Sequence, residues 1–303
     1  MSVFVSVLTQ NILPIMLVAS FGYWLRRRFE VHLSTLTSVV FNVLSPCLVF
    51  SSLVTSQLPG DELLHLAAFT AGTILTMGGL ALLLSRLLRL GRAETAAVVL
   101  IAMFTNGGNY GLTLLQLRYG GEGLARGVVY FVTSTLFFYT LGVLIASLGQ
   151  LSWRAALARV ARVPAAYAAV LAVVVYGLRL PVPAPLLAGI TVAGQGAIPI
   201  MLLILGMQIA DLRRGETTRF VWPAVGLRLL VGPLVGLGFA ALLGLTGVGR
   251  SAMILQASMS PAVFCLILAA EFGLPTSAVA RIVVYSTLLS SLTLAAIITL
   301  LGL

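Results

Sequence analysis

The chain is a succession of apolar runs, each close to the length that crosses a bilayer. A transmembrane helix takes about 20 predominantly apolar residues. Ten such runs follow one another, at roughly 5–25, 35–56, 64–85, 95–117, 126–147, 164–180, 187–210, 221–244, 251–270 and 279–300. They use up most of the 303 residues and leave short connections with no room for a soluble domain. Sixty per cent of the residues are hydrophobic and 9% charged. A soluble domain has roughly 45–50% and about 25%. A chain with so little polar surface is excluded as a soluble enzyme, a DNA-binding domain or a disordered protein. It reads as an all-α integral membrane protein whose first partner is the lipid bilayer.

Orientation follows from the basic residues. The formal net charge is +10, and all 18 basic residues are arginines. They sit between the apolar runs, as in loops flanking membrane helices, so nucleic acid is not expected as a partner. Thirteen lie in the odd-numbered connections, among them Arg26–Arg28, Arg86, Arg89, Arg92, Arg154, Arg159, Arg162, Arg213, Arg214, Arg219 and Arg281. Only Arg118, Arg126, Arg179 and Arg250 lie in the even-numbered ones. The positive-inside rule puts the arginine-rich face in the cytoplasm and both termini outside. The cytoplasmic (inner) membrane is the expected location. Residues 1–11 carry no Lys or Arg, and the first basic cluster follows the first apolar run. A cleaved signal has the reverse order, so a retained helix is expected. Trp24, Trp153 and Trp222 fall near the interfaces and read as an aromatic belt.

The two halves echo each other at an offset of 153 residues, the separation of Gly108 and Pro261. At that offset Tyr23 and Arg26 fall on Tyr176 and Arg179, Pro46 on Pro199, Gly120 on Gly273, and Gly149 on Gly302. Five spans per half is an odd number, so the second half enters from the opposite side. That arrangement is the inverted repeat of many secondary transporters.

Two interruptions occupy corresponding places. Thr105-Asn106-Gly107-Gly108-Asn109-Tyr110-Gly111 sits in the fourth run, and Gln256-Ala257-Ser258-Met259-Ser260-Pro261 in the ninth. Adjacent glycines are poor helix formers, and proline can neither donate to the helix ladder nor avoid the preceding turn. Irregular backbone within a membrane is tolerated only where protein buries it or it lines a cavity. Paired breaks of this kind point to a binding site, with helix N-termini suited to an anion and freed carbonyls to a cation. Packing kinks are the alternative, with Gly107 and Gly111 as a small-xxx-small pair. A second pair is Asn42, four residues before Pro46, and Gln195, four before Pro199. These amides either line the pocket or satisfy carbonyls released by their own prolines. Arg228 lies inside a span; intramembrane charge marks function by default. It also sits about two turns from the cytoplasmic end, near enough to snorkel.

Enzymatic signatures are absent from the sequence. There is no Walker A loop and no H-E-x-x-H motif. The only aspartates, Asp61 and Asp211, fall on opposite faces, as do His32 and His65. Cys47 and Cys265 lie in apolar runs and read as small buried hydrophobes. No cofactor or metal is expected.

The motifs resemble the auxin efflux carrier family. Ile12-Leu13-Pro14-Ile15 through Gly22-Tyr23-Trp24-Leu25-Arg26-Arg27 is similar to its first helix, and Val40-Phe41-Asn42-Val43-Leu44-Ser45-Pro46 to its second. Phe104-Thr105-Asn106-Gly107-Gly108-Asn109-Tyr110-Gly111-Leu112 resembles its most specific signature. Ile198-Pro199-Ile200-Met201 through Leu205-Gly206-Met207 and Tyr285-Ser286-Thr287-Leu288-Leu289-Ser290 resemble the seventh and tenth helices. The resemblance implies ten transmembrane helices in two inverted five-helix repeats, with helices 4 and 9 broken and crossing. It implies a scaffold of helices 1–2 and 6–7, here 1–60 and 151–212, that often forms a homodimer. Helices 3–5 and 8–10, here 61–150 and 213–303, would move against it in an elevator mechanism. Plant members export indole-3-acetate; bacterial members are linked to malonate or malate. The long central loop of plant members is missing here, since the link spans only about 148–163. Plant members carry proline at both crossings, where this chain has Gly107-Gly108 at the first.

The expectation is a secondary transporter of a small organic anion, with a proton, sodium or no coupling ion. Asn106, Gly107, Gly108, Asn109, Tyr110, Ser258, Ser260 and Pro261 would form the site, faced by Asn42 and Gln195. The helix breaks would be at Gly107, Gly108, Pro261, Pro46 and Pro199. An anion channel, or a membrane-embedded ligand sensor, is the alternative.

Overall fold

A computed structural model describes residues 3–56, 58–147, 154, 163–211 and 219–303. Trp153, Gly149, Arg159, Arg162, Arg213 and Arg214 lie outside the described residues, as do the expected boundaries at 150/151 and 212/213. The described residues are helical and contain no strand, only one antiparallel bridge. The helices are α1 (Phe4–Arg28), α2 (Leu33–Thr55), α3 (Gly60–Leu87), α4 (Arg92–Met103), α5 (Gly107–Ala146), α6 (Pro164–Gly177), α7 (Ala184–Ala210), α8 (Val221–Leu242), α9 (Gly247–Ala257), α10 (Phe264–Glu271) and α11 (Thr276–Leu301). Seven of these, α1, α2, α3, α5, α7, α8 and α11, are long and apolar enough to cross a membrane.

The fourth and ninth expected spans are each divided. α4 ends at Met103 and α5 starts at Gly107; α9 ends at Ala257 and α10 starts at Phe264. α5 is 40 residues long, about 60 Å if straight and twice a hydrocarbon core. It is not straight. Gly120 has φ 60° and ψ −148°, a conformation that glycine adopts without a Cβ penalty. A Cβ on Gly123 would fall 3.0 Å from the Leu115 carbonyl oxygen, and one on Gly127 2.6 Å from Leu115 Cδ1. The helix therefore folds back on itself as a hairpin, with legs 107–119 and 121–146.

Prolines shape the remaining helices. Pro14, Pro46 and Pro233 each follow a π-helical turn, at Leu8–Ile12, Val40–Leu44 and Leu227–Val231. A proline ring collides with the carbonyl four residues back. Those carbonyls belong to Gln10, Asn42 and Leu229, inside the three turns. The wider turn relieves the collision without ending the helix. Pro199 acts differently, and α7 bends at Gly196.

Lipid supplies no hydrophobic drive for helix association, so close backbone approach has to do so. α1 lies on α7 with glycine on both sides. A Cβ on Gly22 would fall 2.8 Å from Leu203 Cα, and one on Gly206 2.8 Å from the Tyr23 nitrogen. Gly194 of α7 admits α2, where a Cβ would fall 2.9 Å from Leu48 Cα. α6 also packs on α2, and Arg26 and Asp211 pair at 2.7 Å at the ends of α1 and α7. The other helices pack among themselves: α3 on α4, α5 and α8, α9 on α5 and α8, and α11 on α4, α8 and α10. The later part of α7 lies against the first turns of α5. Arg118 donates to Asn11 Oδ1 at 3.3 Å and to the Leu303 carbonyl, so α1, the tip of α5 and the end of α11 meet on one face.

Several arginines expected in connections lie inside helices, among them Arg118, Arg250, Arg281 and Arg126. Arg281 is 6% exposed in the second turn of α11. The helix begins at Thr276, with Pro275 at its N-cap, and Arg281 already falls inside the apolar run at 279–300. Arg126 belongs to the second leg of α5, where Nε and Nη2 meet Glu62 of α3 at 2.6 and 3.2 Å. Trp24 and Trp222 are exposed; Trp222 stacks on Tyr285 with centroids 5.0 Å apart.

Candidate functional site

The two breaks meet. Phe104 is extended, at φ −109° and ψ 116°, and Thr105 forms an antiparallel bridge with Pro261. Asn106 N–H donates to the Ser260 carbonyl at 2.7 Å, and Ala262 N–H to the Phe104 carbonyl at 2.9 Å. The bridged residues form the wide pair of an antiparallel ladder, whose own N–H groups point away from the partner. Proline has no N–H, so Pro261 fits that position at no cost in hydrogen bonds. The short ribbon satisfies backbone groups that two broken helices would otherwise bury unpaired.

Four helix ends converge on the ribbon. α4 and α9 bring their C-termini, α5 and α10 their N-termini. The C-termini are held by Arg228, which is 1% exposed in the π-helical turn of α8. Its Nη1 donates to the Ala102 carbonyl at 2.8 Å, its Nε to the Met259 carbonyl at 3.0 Å, and its Nη2 to the Ala257 carbonyl. Snorkelling is therefore overturned: the guanidinium turns inward because three carbonyls freed at the breaks lie within its reach.

The glycines of the first break serve close approach. Gln256, in the last turn of α9, is fully buried against α5. Its Nε2 donates to the carbonyls of Gly107 at 3.3 Å and Gly127 at 3.4 Å, one on each leg of α5. A Cβ on Gly111 would fall 2.9 Å from Gln256 Cδ, and one on Gly107 2.8 Å from its Oε1. Packing and site-building are here one arrangement.

A pocket of about 70 Å³ lies at the N-terminal ends of α5 and α10. Asn106, Gly107, Gly108 and Asn109 line it, with Thr105, Ala262, Ser134 and Thr135. Asn106 is 4% exposed, and its Nδ2 has no partner. Six rings wall the pocket: Phe41, Phe104, Phe131, Phe138, Tyr139 and Phe264. Among the described residues, no charged side chain lines it. It adjoins a cleft of about 530 Å³ that shares Phe41, Phe138, Tyr139 and Phe264 and reaches Leu33, at the start of α2, and Glu271.

The expected site residues divide accordingly. Tyr110 is buried beside the pocket without lining it. Ser258 is turned into its own helix, donating to the Ile254 carbonyl at 2.7 Å. Ser260 Oγ accepts from Thr287 Oγ1 at 3.3 Å. Neither serine nor Pro261 lines the pocket; Ser260 and Pro261 build the ribbon behind it. Asn42 lines the adjoining cleft, with Nδ2 donating to the Ser38 carbonyl at 2.9 Å. Gln195 does not join it. It lines a cleft of about 760 Å³ at the other end of α2, with Thr55, Glu122 and Arg126. The two amides sit on helices that present them toward opposite ends of α2, so they cannot face one pocket. Phe41 and Phe104 lie in the motifs quoted above, but Phe131, Phe138, Tyr139, Phe264 and Ser134 had no signal in the sequence beyond apolar runs.

The chain matches the family described as membrane transport protein over residues 7–150 and 151–298. It belongs to that family, the auxin efflux carriers. Within the membrane transport protein family it is 29% identical to an uncharacterized transporter of Methanothermobacter thermautotrophicus over 294 residues, 94% of this chain and 96% of the relative. It is 22% identical to an uncharacterized transporter of Methanocaldococcus jannaschii over 277 residues, 88% and 89% of the two chains. Membership of that family makes the chain a multi-pass membrane transporter.

Proposed function

We propose that this membrane transport protein is a secondary carrier of a small organic anion across the cytoplasmic membrane, working by elevator-type alternating access. One observation carries the reading. Two helix N-termini and the unpartnered Nδ2 of Asn106 converge on one pocket, while Arg228 takes up the opposing C-termini. Helix N-termini carry partial positive charge and unpaired N–H groups, which suit a carboxylate. The aromatic walls and the lack of a charged lining side chain favour a monocarboxylate with an apolar body over a dicarboxylate. The head group would sit in the pocket and the body would extend into the adjoining cleft.

The carrier reading takes the chain as ten spans in two inverted repeats, with α4 and the first leg of α5 as the fourth and α9 with α10 as the ninth. The offset of 153 residues supports it, because it carries Gly120 onto Gly273 and both have positive φ, 60° and 66°. It also carries α4 onto 245–256, against α9 at Gly247–Ala257. The scaffold would be α1, α2, α6 and α7, supported by the close approach of α1 to α7 at Gly22 and Gly206 and of α7 to α2 at Gly194, and by the packing of α6 on α2. The rest would move past it, carrying the pocket between the clefts at the two ends of α2. Both termini would lie outside the cell.

Proteoliposomes test this. Radiolabelled phenylacetate is expected to enter saturably and to show counterflow, with malonate a weaker substrate. Asn106→Ala with Pro261→Ala is expected to abolish flux. Unsaturable flux would favour a channel, and binding without flux a sensor. Undiminished flux in the double variant would overturn the site.

A further inference from the structure

Among the described residues, no carboxylate pairs with the buried charge of Arg228. The space around it is lined by Thr73, Ile74, Met77, Met103, Tyr130, Gly232 and Ala257, none of them acidic. Burying an unpaired guanidinium costs several kcal/mol, so something must offset it. The offset is backbone. Each helix C-terminus carries about half a negative elementary charge. Arg228 touches two of them, through Ala102 of α4 and Ala257 of α9, and adds the Met259 carbonyl of the break itself. Two half charges against one whole positive charge leave the junction close to neutral. The fit is built in. A Cβ at Gly232 would fall 2.8 Å from Arg228 Nη2 and 3.0 Å from its Cζ, so glycine one turn on clears the path for the side chain.

In carriers with broken helices, unwound carbonyls and half-helix C-terminal ends are the groups that coordinate a coupling cation. Here those groups are engaged by a side chain of α8. We propose that Arg228 is a tethered cation occupying the seat of a coupling ion, and that this chain therefore moves its anion without sodium. The proposal deepens the carrier reading and rests on it, but its test does not use transport. The two can fail separately.

The test is thermal unfolding of the purified protein in sodium chloride against choline chloride at equal ionic strength. Wild type is expected to melt at the same temperature in both. Arg228→Ala opens the seat. It is expected to melt several degrees lower in choline and to recover part of the loss in sodium or in millimolar methylguanidinium. Arg228→Gln keeps donors for the carbonyls without the charge, and is expected to fold and to acquire the same sodium response. Sodium stabilisation of wild type would overturn the proposal, because a cation seat would still be open. So would a folded Arg228→Gln or Arg228→Ala indifferent to both cations.

Discussion

Gly111→Ala probes the contact on which the meeting of the two breaks depends. The new methyl would fall 2.9 Å from Gln256 Cδ and 3.0 Å from its Nε2. The amide has nowhere to go, being fully buried and bonded to both legs of α5. Overpacking a filled interior costs about 1–3 kcal/mol. Displacing the amide forfeits two bonds worth about 0.5–1.5 kcal/mol each, nearer the low end at 3.3 and 3.4 Å. The sum is about 2–4 kcal/mol, a fall of roughly 3–6 °C in melting temperature for a chain this size. Gln256→Ala removes the bonds and the obstacle together. The double variant should therefore lose less than the two single losses added, by about 1–3 kcal/mol of coupling. Thermal unfolding of the four proteins in one detergent reads this out. Strict additivity, or a Gly111→Ala protein as stable as wild type, would refute the contact between α9 and α5.

Two further predictions separate backbone approach from surface charge. Gly206→Ala would set a methyl 2.7 Å from the Ala19 carbonyl carbon; α1 and α7 would have to part, so folded yield should fall sharply. Gly238→Ala in α8, with nothing within 4 Å of the new methyl, should be neutral or slightly stabilising in the same expression assay. Arg26→Ala breaks a pair whose side chains are 32% and 41% exposed and should shift stability by less than about 1 kcal/mol. Arg126→Ala breaks a two-point contact whose side chains are 14% and 22% exposed and should cost about 1.5–3 kcal/mol in the same unfolding assay.

The spans and their breaks were legible because each rests on local chemistry. Apolar length marks a helix that can cross a membrane, and Ser260-Pro261 falls in the gap between two, whereas Gly107-Gly108 opens α5 just after the extended Phe104 and Gly78-Gly79 runs through α3 uninterrupted. The hairpin at Gly120 was half visible, as a glycine repeated at Gly273. What the sequence hid were contacts between distant segments. Arg228 reads as a charge near a helix end until Ala102, Ala257 and Met259 are seen beside it. Gln256 reads as a polar residue before a break, although it is the side chain that requires Gly111. Asn42 and Gln195 look equivalent by spacing, yet they line clefts at opposite ends of α2. Phe131, Phe138 and Phe264 are indistinguishable in sequence from rings facing lipid.

The central claim is that two interrupted helices from different halves of the chain pair backbone to backbone and so build the seat for the anion. Cysteines at the bridged positions read this directly. Thr105→Cys and Pro261→Cys, introduced where Cys47 and Cys265 are replaced by alanine, would place two thiols in a wide antiparallel pair. Its Cα separation of about 4.5 Å is within disulfide range. After cleavage at a protease site engineered between α7 and α8, mild oxidation is expected to leave the two fragments joined until a reductant is added. Fragments that separate under oxidation as readily as under reduction would show that the breaks do not meet.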